Sequence, residues 1–490
     1  QYSVILVCMA FFFTFLRLHE VKVTEKRVFH IAGFIVVALG CGLFTNQIIL
    51  SDFMEEHQIN IRMFRPMESY QKYGGVLTFA RSVGYAVVKK PEGYTTAKVD
   101  QIIQEYEKKS ANEQQSTVKQ YPNIITVVNE TFADIKVLGD FKTNEDYMPY
   151  FHSLKKNCVT GYTYASIVGG QTANTEFELL TGNTLGFLSA GTTAFQLYIH
   201  GQMPSLVSNL KAEGYSGNKA MHPFNPYNYN RPAVYKDFGF TDFIDKFDFP
   251  KNVKRVREYI SDEANVDRII SEYEKNRKKT DQPFYMYNMT IQNHSPYDKD
   301  AANFKQPIKI ESSKYDAEAN RYLNLIKYSD DSLKQLTSYF EKCKEPTIIL
   351  FLGDHQPRLT DEFMNKITNG QYQTWSSEQM MKRYQVPFVI WANYDIKEQH
   401  IEKTSMNYIQ SILTKTAGVK MTGYQRFLNE VRKEVPTITS QGYWGKNGKF
   451  YQINDKGSPY YGIIQKYRMI QYNMMFDKKN RRDSFFEVSK

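Results

Sequence analysis

The sequence predicts an α/β domain built on a mostly parallel sheet, with a smaller C-terminal subdomain, behind N-terminal membrane helices. Three features predict it. Short apolar, β-rich runs each lead into polar residues: NIITVVNE (Asn123 to Glu130), FYMYNMTIQNH (Phe284 to His294), TIILFLGDH (Thr347 to His355) and VPFVIWANY (Val386 to Tyr394). Between them lie longer stretches of helical spacing, such as YDAEANRYLNLIKYSDDSLKQLTSYFEKC. Buried strands alternating with helices describe a parallel sheet covered on both faces. The third feature is a pair of apolar runs at the N-terminus.

In chain order, Gln1 to Leu16 carries no charge, starts without Met and reads as the remnant of a longer span. The run from Val28 to Leu50 is long enough to cross a bilayer, since about 20 apolar helical residues cover the hydrocarbon core. A cleaved signal peptide fits less well, because two apolar segments stand in tandem with no small-residue cleavage site after the second. The loop between them holds Arg17, Lys22, Lys26 and Arg27. Basic loops stay in the cytoplasm, so the chain after about Ser51 is expected outside the cell. Residues 1–50 are thus read as two transmembrane helices with a cytoplasmic loop at 17–27. Residues 51–120 are read as a helical juxtamembrane connector, in which TTAKVDQIIQEYEKK sets Val99, Ile102, Ile103 and Tyr106 at helical spacing behind a capping Thr. A plain spacer is the simpler account of that connector. Residues 121–418 form the expected catalytic domain. Residues 419–490, aromatic and ending in the basic run Lys478 to Arg482, form the expected C-terminal subdomain or lid.

Composition narrows the function. The chain is 42% hydrophobic and 15% aromatic, too apolar to remain unfolded. Its formal charge of +10 suits an anionic partner, and an extracellular placement argues against nucleic acid. Four Cys in 490 residues exclude a disulfide scaffold and a Cys-rich zinc module, and Cys158 and Cys343 are open to either the free or the bridged state. There is no Walker A loop, GxSxG elbow, HExxH helix or dinucleotide fingerprint, and no CxPxR or SxPxR sulfatase motif.

In α/β sheets, sites lie beyond the carboxyl ends of the strands. That rule selects Glu130 at the end of NIITVVNE, with Asp354 and His355 at the end of TIILFLGDH. Two carboxylates and one imidazole on one rim suit an oxygen-rich divalent metal site. Taken singly, Glu130 can open a loop and an Asp-His pair can make local hydrogen bonds. IVGGQTANTEFELLTG (Ile167 to Gly182) offers a tight Gly169-Gly170 turn ahead of a helix whose N-terminal N–H groups favour phosphate. Thr172 stands just before that helix, as a turn or cap residue or as a nucleophile activated by the metal. Thr175 with Glu178 fits a capping box. His294 lies beyond a strand end, where it can serve as acid, base or phosphoryl donor. His222 and Arg231 share the loop MHPFNPYNYNR, a setting for phosphate binding by a guanidinium fork. Either His is open to a structural role.

Taken together, NETFAD, GGQTANTEF, MH…YNR, QNHSPY and LGDHQP, behind membrane helices, resemble the lipoteichoic acid synthase family of phosphoglycerol transferases in the sulfatase and alkaline phosphatase superfamily. The resemblance runs from about residue 120 to 420. It implies an alkaline phosphatase/sulfatase-like fold and one Mn²⁺, with Mg²⁺ or Zn²⁺ as alternatives, held by Glu130, Thr172, Asp354 and His355. It implies Thr172 as nucleophile and His222, Arg231 and His294 as contacts to glycerol phosphate, with His294 also carrying a proton. The implied donor is phosphatidylglycerol, and the implied acceptor is a cell-wall glycopolymer or glycolipid, reached by a multi-pass membrane protein whose catalytic domain is extracellular. Tyr229 stands where the lipoteichoic acid synthases carry Trp, and GDHQPR differs from their sequence after the Asp-His pair. Relatives that decorate polysaccharide with glycerol phosphate therefore match equally well. The competing expectations are a phosphoethanolamine transferase, a metal-dependent phosphatase or sulfatase, and an inactive wall-binding module.

Overall fold

The computed structural model describes residues 27–50, 53, 66–85, 87–109, 118, 120–311, 317–370 and 372–488, and the chain divides into two units at Val87/Val88. The expected first span and most of the basic loop lie outside the described residues. In the first unit the expected second span is a helix, Arg27–Phe44, followed by one π-helical turn, Thr45–Leu50. Among the described residues no helix is long and apolar enough to cross a membrane. Phe34, Ile35, Val36, Val37, Leu39, Leu43 and Phe44 are all exposed. The helix Gly75–Tyr85 packs on the π-helical turn, and Gly84 permits the approach: a Cβ there would stand 2.9 Å from the Ile49 carbonyl oxygen.

The second unit is organised by strands β1 (Asn123–Asn129), β2 (Cys158–Tyr164), β3 (Ser216–Met221), β4 (Asp242–Ile244), β5 (Arg255–Val256), β6 (Tyr259–Ile260), β7 (Phe284–Met289), β8 (Thr347–Gly353), β9 (Gln385–Ala392), β10 (Gln399–Ser405), β11 (Thr437–Thr439), β12 (Gly442–Trp444) and β13 (Phe450–Tyr451). Eight of them form one sheet in the order β10-β2-β9-β8-β1-β7-β3-β4. Only β9 runs against its neighbours β2 and β8; the other pairs are parallel. This is the expected mostly parallel α/β sheet. Every residue of β1, β7 and β8 is buried, as the unbroken apolar runs require when helices cover both faces. Helices Asp262–Arg277 and Ala317–Phe340 pack together and reach β3, β7 and β8, whereas Thr172–Thr181 packs on Met406–Thr416 beside β2 and β10.

The helix Thr96–Lys109 is part of this unit. Thr95 caps it by accepting from the Lys98 N–H at 3.1 Å, and Val99, Ile102 and Tyr106 are buried against helices Gly423–Glu434 and Tyr461–Met475. Tyr106 meets the Phe427 ring edge-on at 4.7 Å, and Arg482 holds Asp100 by two hydrogen bonds of 2.6 and 2.9 Å. Strands β11 to β13 form an antiparallel meander whose Ile438 and Tyr443 join the main core, while Trp444 and Phe450 pack with Tyr164 and Met381 in a separate cluster. Cys158 and Cys343 are free thiols, and burial pushes the Cys158 thiol up to about 12.

Candidate active site

Parallel pairing in register sets the site. β1 and β8 are neighbours with Asn129 opposite Gly353, so the next residues, Glu130 and Asp354, leave the sheet side by side, with His355 following. β7 lies on the other side of β1 and β3 beyond it, which brings the loop carrying His294 and then His222 along the same rim. Ligand atoms of Glu130, Asp354 and His355 all lie within 4.8 Å of one another, and all three residues are buried.

The bonding of these groups shows what they lack. Asp354 Oδ1 accepts from the N–H groups of Thr131 at 2.7 Å and His355 at 2.8 Å, while Oδ2 is buried without a partner. His355 Nδ1 lies 3.0 Å from the Gln356 carbonyl oxygen, so that nitrogen carries the proton and Nε2 presents a lone pair. That lone pair stands 3.2 Å from Asp354 Oδ2 and 3.9 Å from Glu130 Oε1, with no hydrogen bond to relieve it. Burial and the Asp354 carboxylate push Glu130 up from the ordinary carboxylate range, opposed by the Arg231 charge. Buried electron pairs converging without a donor fit a cation, and two carboxylates with one imidazole suit a hard divalent ion such as Mn²⁺ or Mg²⁺.

Thr172 joins this group. It is buried, and its side chain is among the influences that oppose the upward push on Glu130. Gly169, Gly170 and Gln171 all have positive φ (67°, 139° and 67°), which turns the chain sharply and starts the helix at Thr172. The turn is pinned by Gly169 N–H to the Gln356 carbonyl at 3.0 Å and by Thr175 Oγ1 to the Asp354 carbonyl at 2.8 Å. Thr175 and Glu178 are therefore helix-interior residues and do not form the expected capping box. The left-handed Gln171 begins the helix one turn earlier, and Glu178 bonds Ser166 and the Leu185 N–H instead.

The expected substrate residues surround these four. His222 is buried, with Nδ1 3.0 Å from the Met289 carbonyl, and burial together with the Arg231 charge pulls it well below the usual imidazole range. His294 forms a cluster of three rings with Phe224, stacked on it at 6.3 Å, and Tyr259 at 5.8 Å, with Nδ1 on the Ser295 carbonyl at 2.7 Å. Arg231 is buried, over the Tyr229 ring at 5.1 Å. Its Nε and Nη2 donate to Glu176 Oε1 at 3.1 and 2.7 Å, and Tyr235 and Tyr287 donate to Oε2 of the same carboxylate.

Sequence reasoning passed over that carboxylate, and also a network behind the site. Asn293 Nδ2 bonds Asn129, the Glu130 carbonyl and Ser329 at 2.8 to 3.1 Å. Asn129 and Ser329 in turn bond the buried Asp262, at 2.8 and 2.6 Å. The only local signal was Ser261-Asp262-Glu263 at a helix start, which reads as a cap. Ser261 is that cap, with Oγ accepting from the Ala264 N–H at 3.1 Å.

Two carboxylates and an imidazole beside a hydroxyl at a helix N-terminus, on the carboxyl rim of a mainly parallel sheet, suit phosphoryl- or sulfuryl-transfer chemistry. The sulfatase family matches residues 122–419. Over 433 residues the chain is 30% identical to a Rhizobium meliloti (strain 1021) protein named for cyclic beta-1,2-glucan modification, covering 87% of this chain and 65% of that relative. It is 27% identical over 237 residues to the lipoteichoic acid synthase-like YvgJ of Bacillus subtilis (strain 168), covering 48% of this chain and 36% of that relative. Among solved structures, the Streptococcus pyogenes phosphoglycerol transferase GacH in complex with sn-glycerol-1-phosphate has the same fold. Its TM-score is 0.66 at 20% identity, covering 82% of this chain and 100% of that one. The chain belongs to the sulfatase family. It spans less than two thirds of the length of these curated relatives.

Proposed function

We propose that the chain is a metal-dependent phosphoglycerol transferase that moves glycerol phosphate from phosphatidylglycerol, through Thr172, to a hydroxyl of a surface glycan. The observation that carries this reading is the convergence of Glu130, Asp354 and His355, with Asp354 Oδ2 and His355 Nε2 as buried ligand atoms that no protein donor satisfies, and with the buried Thr172 at the start of its helix interacting with Glu130. Glu130, Thr172, Asp354 and His355 would hold the divalent cation, which when bound supplies Lewis-acid chemistry that eases deprotonation of a hydroxyl.

The chain's own groups account for the rest. Thr172 gives its hydroxyl proton to solvent water as Oγ bonds to phosphorus and the bond from phosphorus to the diacylglycerol oxygen breaks. That oxygen takes a proton from His294. In the second half an acceptor hydroxyl attacks phosphorus, gives its proton to His294, and frees the Thr172 oxygen to be reprotonated. The fixed charge of Arg231 and the ring of His222 orient the phosphoryl and glycerol oxygens. Exposed apolar side chains from Phe34 to Phe44 support the membrane side of the reading, where a lipid donor is found. The name of the Rhizobium meliloti relative supports a glucan-type acceptor.

Diacylglycerol release from fluorescent phosphatidylglycerol, with and without Mn²⁺ and beside Thr172→Ala, tests the proposal. Release is expected only with both metal and Thr172. Release that survives Thr172→Ala would leave water as the attacking group and a hydrolase as the function.

A further inference from the structure

Arg257 stands outside the groups already assigned, and its setting is unusual for a charged residue. It is buried, adopts a left-handed φ of 56°, and forms no ion pair among the described residues. Its guanidinium is spent on main chain: Nη1 donates to the Pro296 carbonyl at 2.7 Å, and Nη2 to the carbonyls of Gln292 at 2.8 Å and His294 at 2.7 Å. The ring of Tyr259 lies 5.3 Å from Cζ and that of Tyr297 5.7 Å. Asn303 fixes the Arg257 backbone from both sides, accepting from its N–H at 3.1 Å and donating to its carbonyl at 2.9 Å. Burial of a cation among carbonyls and aromatic faces costs free energy, and nothing in core packing requires it.

We infer that Arg257 is a positioning residue that holds His294 in the site by clamping the carbonyls of the segment that carries it. The segment Gln292 to Pro296 is anchored at Asn293, whose side chain bonds Asn129, the Glu130 carbonyl and Ser329 and whose carbonyl accepts from Thr131 and Tyr297; the carbonyls of Gln292, His294 and Pro296 that flank this anchor are the ones Arg257 takes. The planar guanidinium gathers three of its carbonyls at once, which a single ammonium point charge cannot do with the same geometry. With the main chain fixed, His294 Nδ1 is tied to the Ser295 carbonyl and the ring packs against the neighbouring pair Phe224 and Tyr259; with Nδ1 so engaged, Nε2 is the nitrogen available for substrate. Tyr259 closes the arrangement, since it packs under the Arg257 guanidinium while its hydroxyl stands 3.4 Å from His294 Nδ1. The sequence VKRVREY shows only a basic run there.

The inference rests on the reading of His294 as a substrate-facing group, and its test separates the two. In the full chain labelled at histidine Cε1, each of the nine His residues gives one NMR cross-peak, assigned by single substitution. Arg257→Met is expected to shift and broaden the His294 cross-peak while those of His222 and His355 stay in place. Arg257→Lys, which keeps the charge and folds more safely, is expected to move it part of the way. In turnover of phosphatidylglycerol, Arg257→Met is expected to lower kcat by about 10²-fold, the scale of a 1 Å misplacement. The Arg257→Met/His294→Ala pair is expected to fall no further than His294→Ala alone. An unmoved His294 cross-peak, a common shift of all three cross-peaks, or additive losses in the double variant would each overturn the inference. A wild-type chain with no turnover would refute the donor reading, and the cross-peaks would still decide the role of Arg257.

Discussion

Arg231→Met separates a structural arginine from a purely substrate-facing one. Arg231 is 1% exposed, and its partner carboxylate, Glu176, is fully buried; the pair is joined by hydrogen bonds of 3.1 and 2.7 Å. Removing one member of a buried pair costs about 3–5 kcal/mol because the other charge is stranded. Here Glu176 keeps its bonds from Tyr235 and Tyr287, so the lower end, about 3 kcal/mol, is expected. That is roughly two powers of ten in the folding equilibrium. Urea denaturation of the wild type, Arg231→Met, Glu176→Gln and the double variant reads it directly. The double variant should cost less than the sum of the singles, because no unpaired charge remains. An unchanged midpoint for Arg231→Met, or strict additivity, would refute the reasoning and return Arg231 to a role at the substrate alone.

Chelation is expected to lower the melting temperature and Mn²⁺ to restore it, with Asp354→Asn abolishing the response; a melt insensitive to both would count against the pocket. Because burial and Asp354 raise Glu130 in the metal-free protein, a cation must displace a proton there. Affinity should therefore climb with pH until Glu130 ionises, by up to about tenfold per unit, and calorimetry in two buffers should show proton release. Glu178 is pushed up by burial from 4.5 to about 7. Its contribution to stability is present near pH 4.5, is lost as pH rises through 7, and amounts to roughly 3 kcal/mol. Glu178→Gln should remove that slope in melts at pH 5 and pH 8, and a parallel profile would contradict the assignment. Gly169→Ala places a Cβ 3.1 Å from the Arg358 Cβ at φ +67°, a cost of about 1–2 kcal/mol, and should lower kcat by displacing the start of the Thr172 helix. Unchanged kcat would show that the turn does not set the hydroxyl.

Much of the fold was legible because its strands are apolar throughout. NIITVVN, FYMYNM and TIILFLG could only be buried on both faces, and the strand-end rule then placed Glu130, Asp354 and His355 on one rim, where the structure brings them together with Thr172. Direction was not legible: VPFVIWANY is as apolar as the parallel strands, yet β9 is antiparallel, since direction follows from connections and leaves no mark on composition. The start of the Thr172 helix was misplaced by one turn because a left-handed Gln171 has no sequence signature of its own. The partners of the site residues were hidden for a different reason. Glu176 lies 55 residues from Arg231, and Asp262 lies 133 from Asn129. Both sit in helices whose local patterns read as ordinary polar positions, and only tertiary packing turns them inward.

The central claim is that Thr172 carries the phosphoglycerol group between donor and acceptor. Intact-mass spectrometry of the full chain, incubated with Mn²⁺ and phosphatidylglycerol in the absence of an acceptor, tests it most directly. A glycerophosphate adduct is expected that maps to Thr172, is absent from Thr172→Ala, and disappears when an acceptor glycan is added. Diacylglycerol released from a chain that never gains mass, or an adduct on another residue, would contradict it.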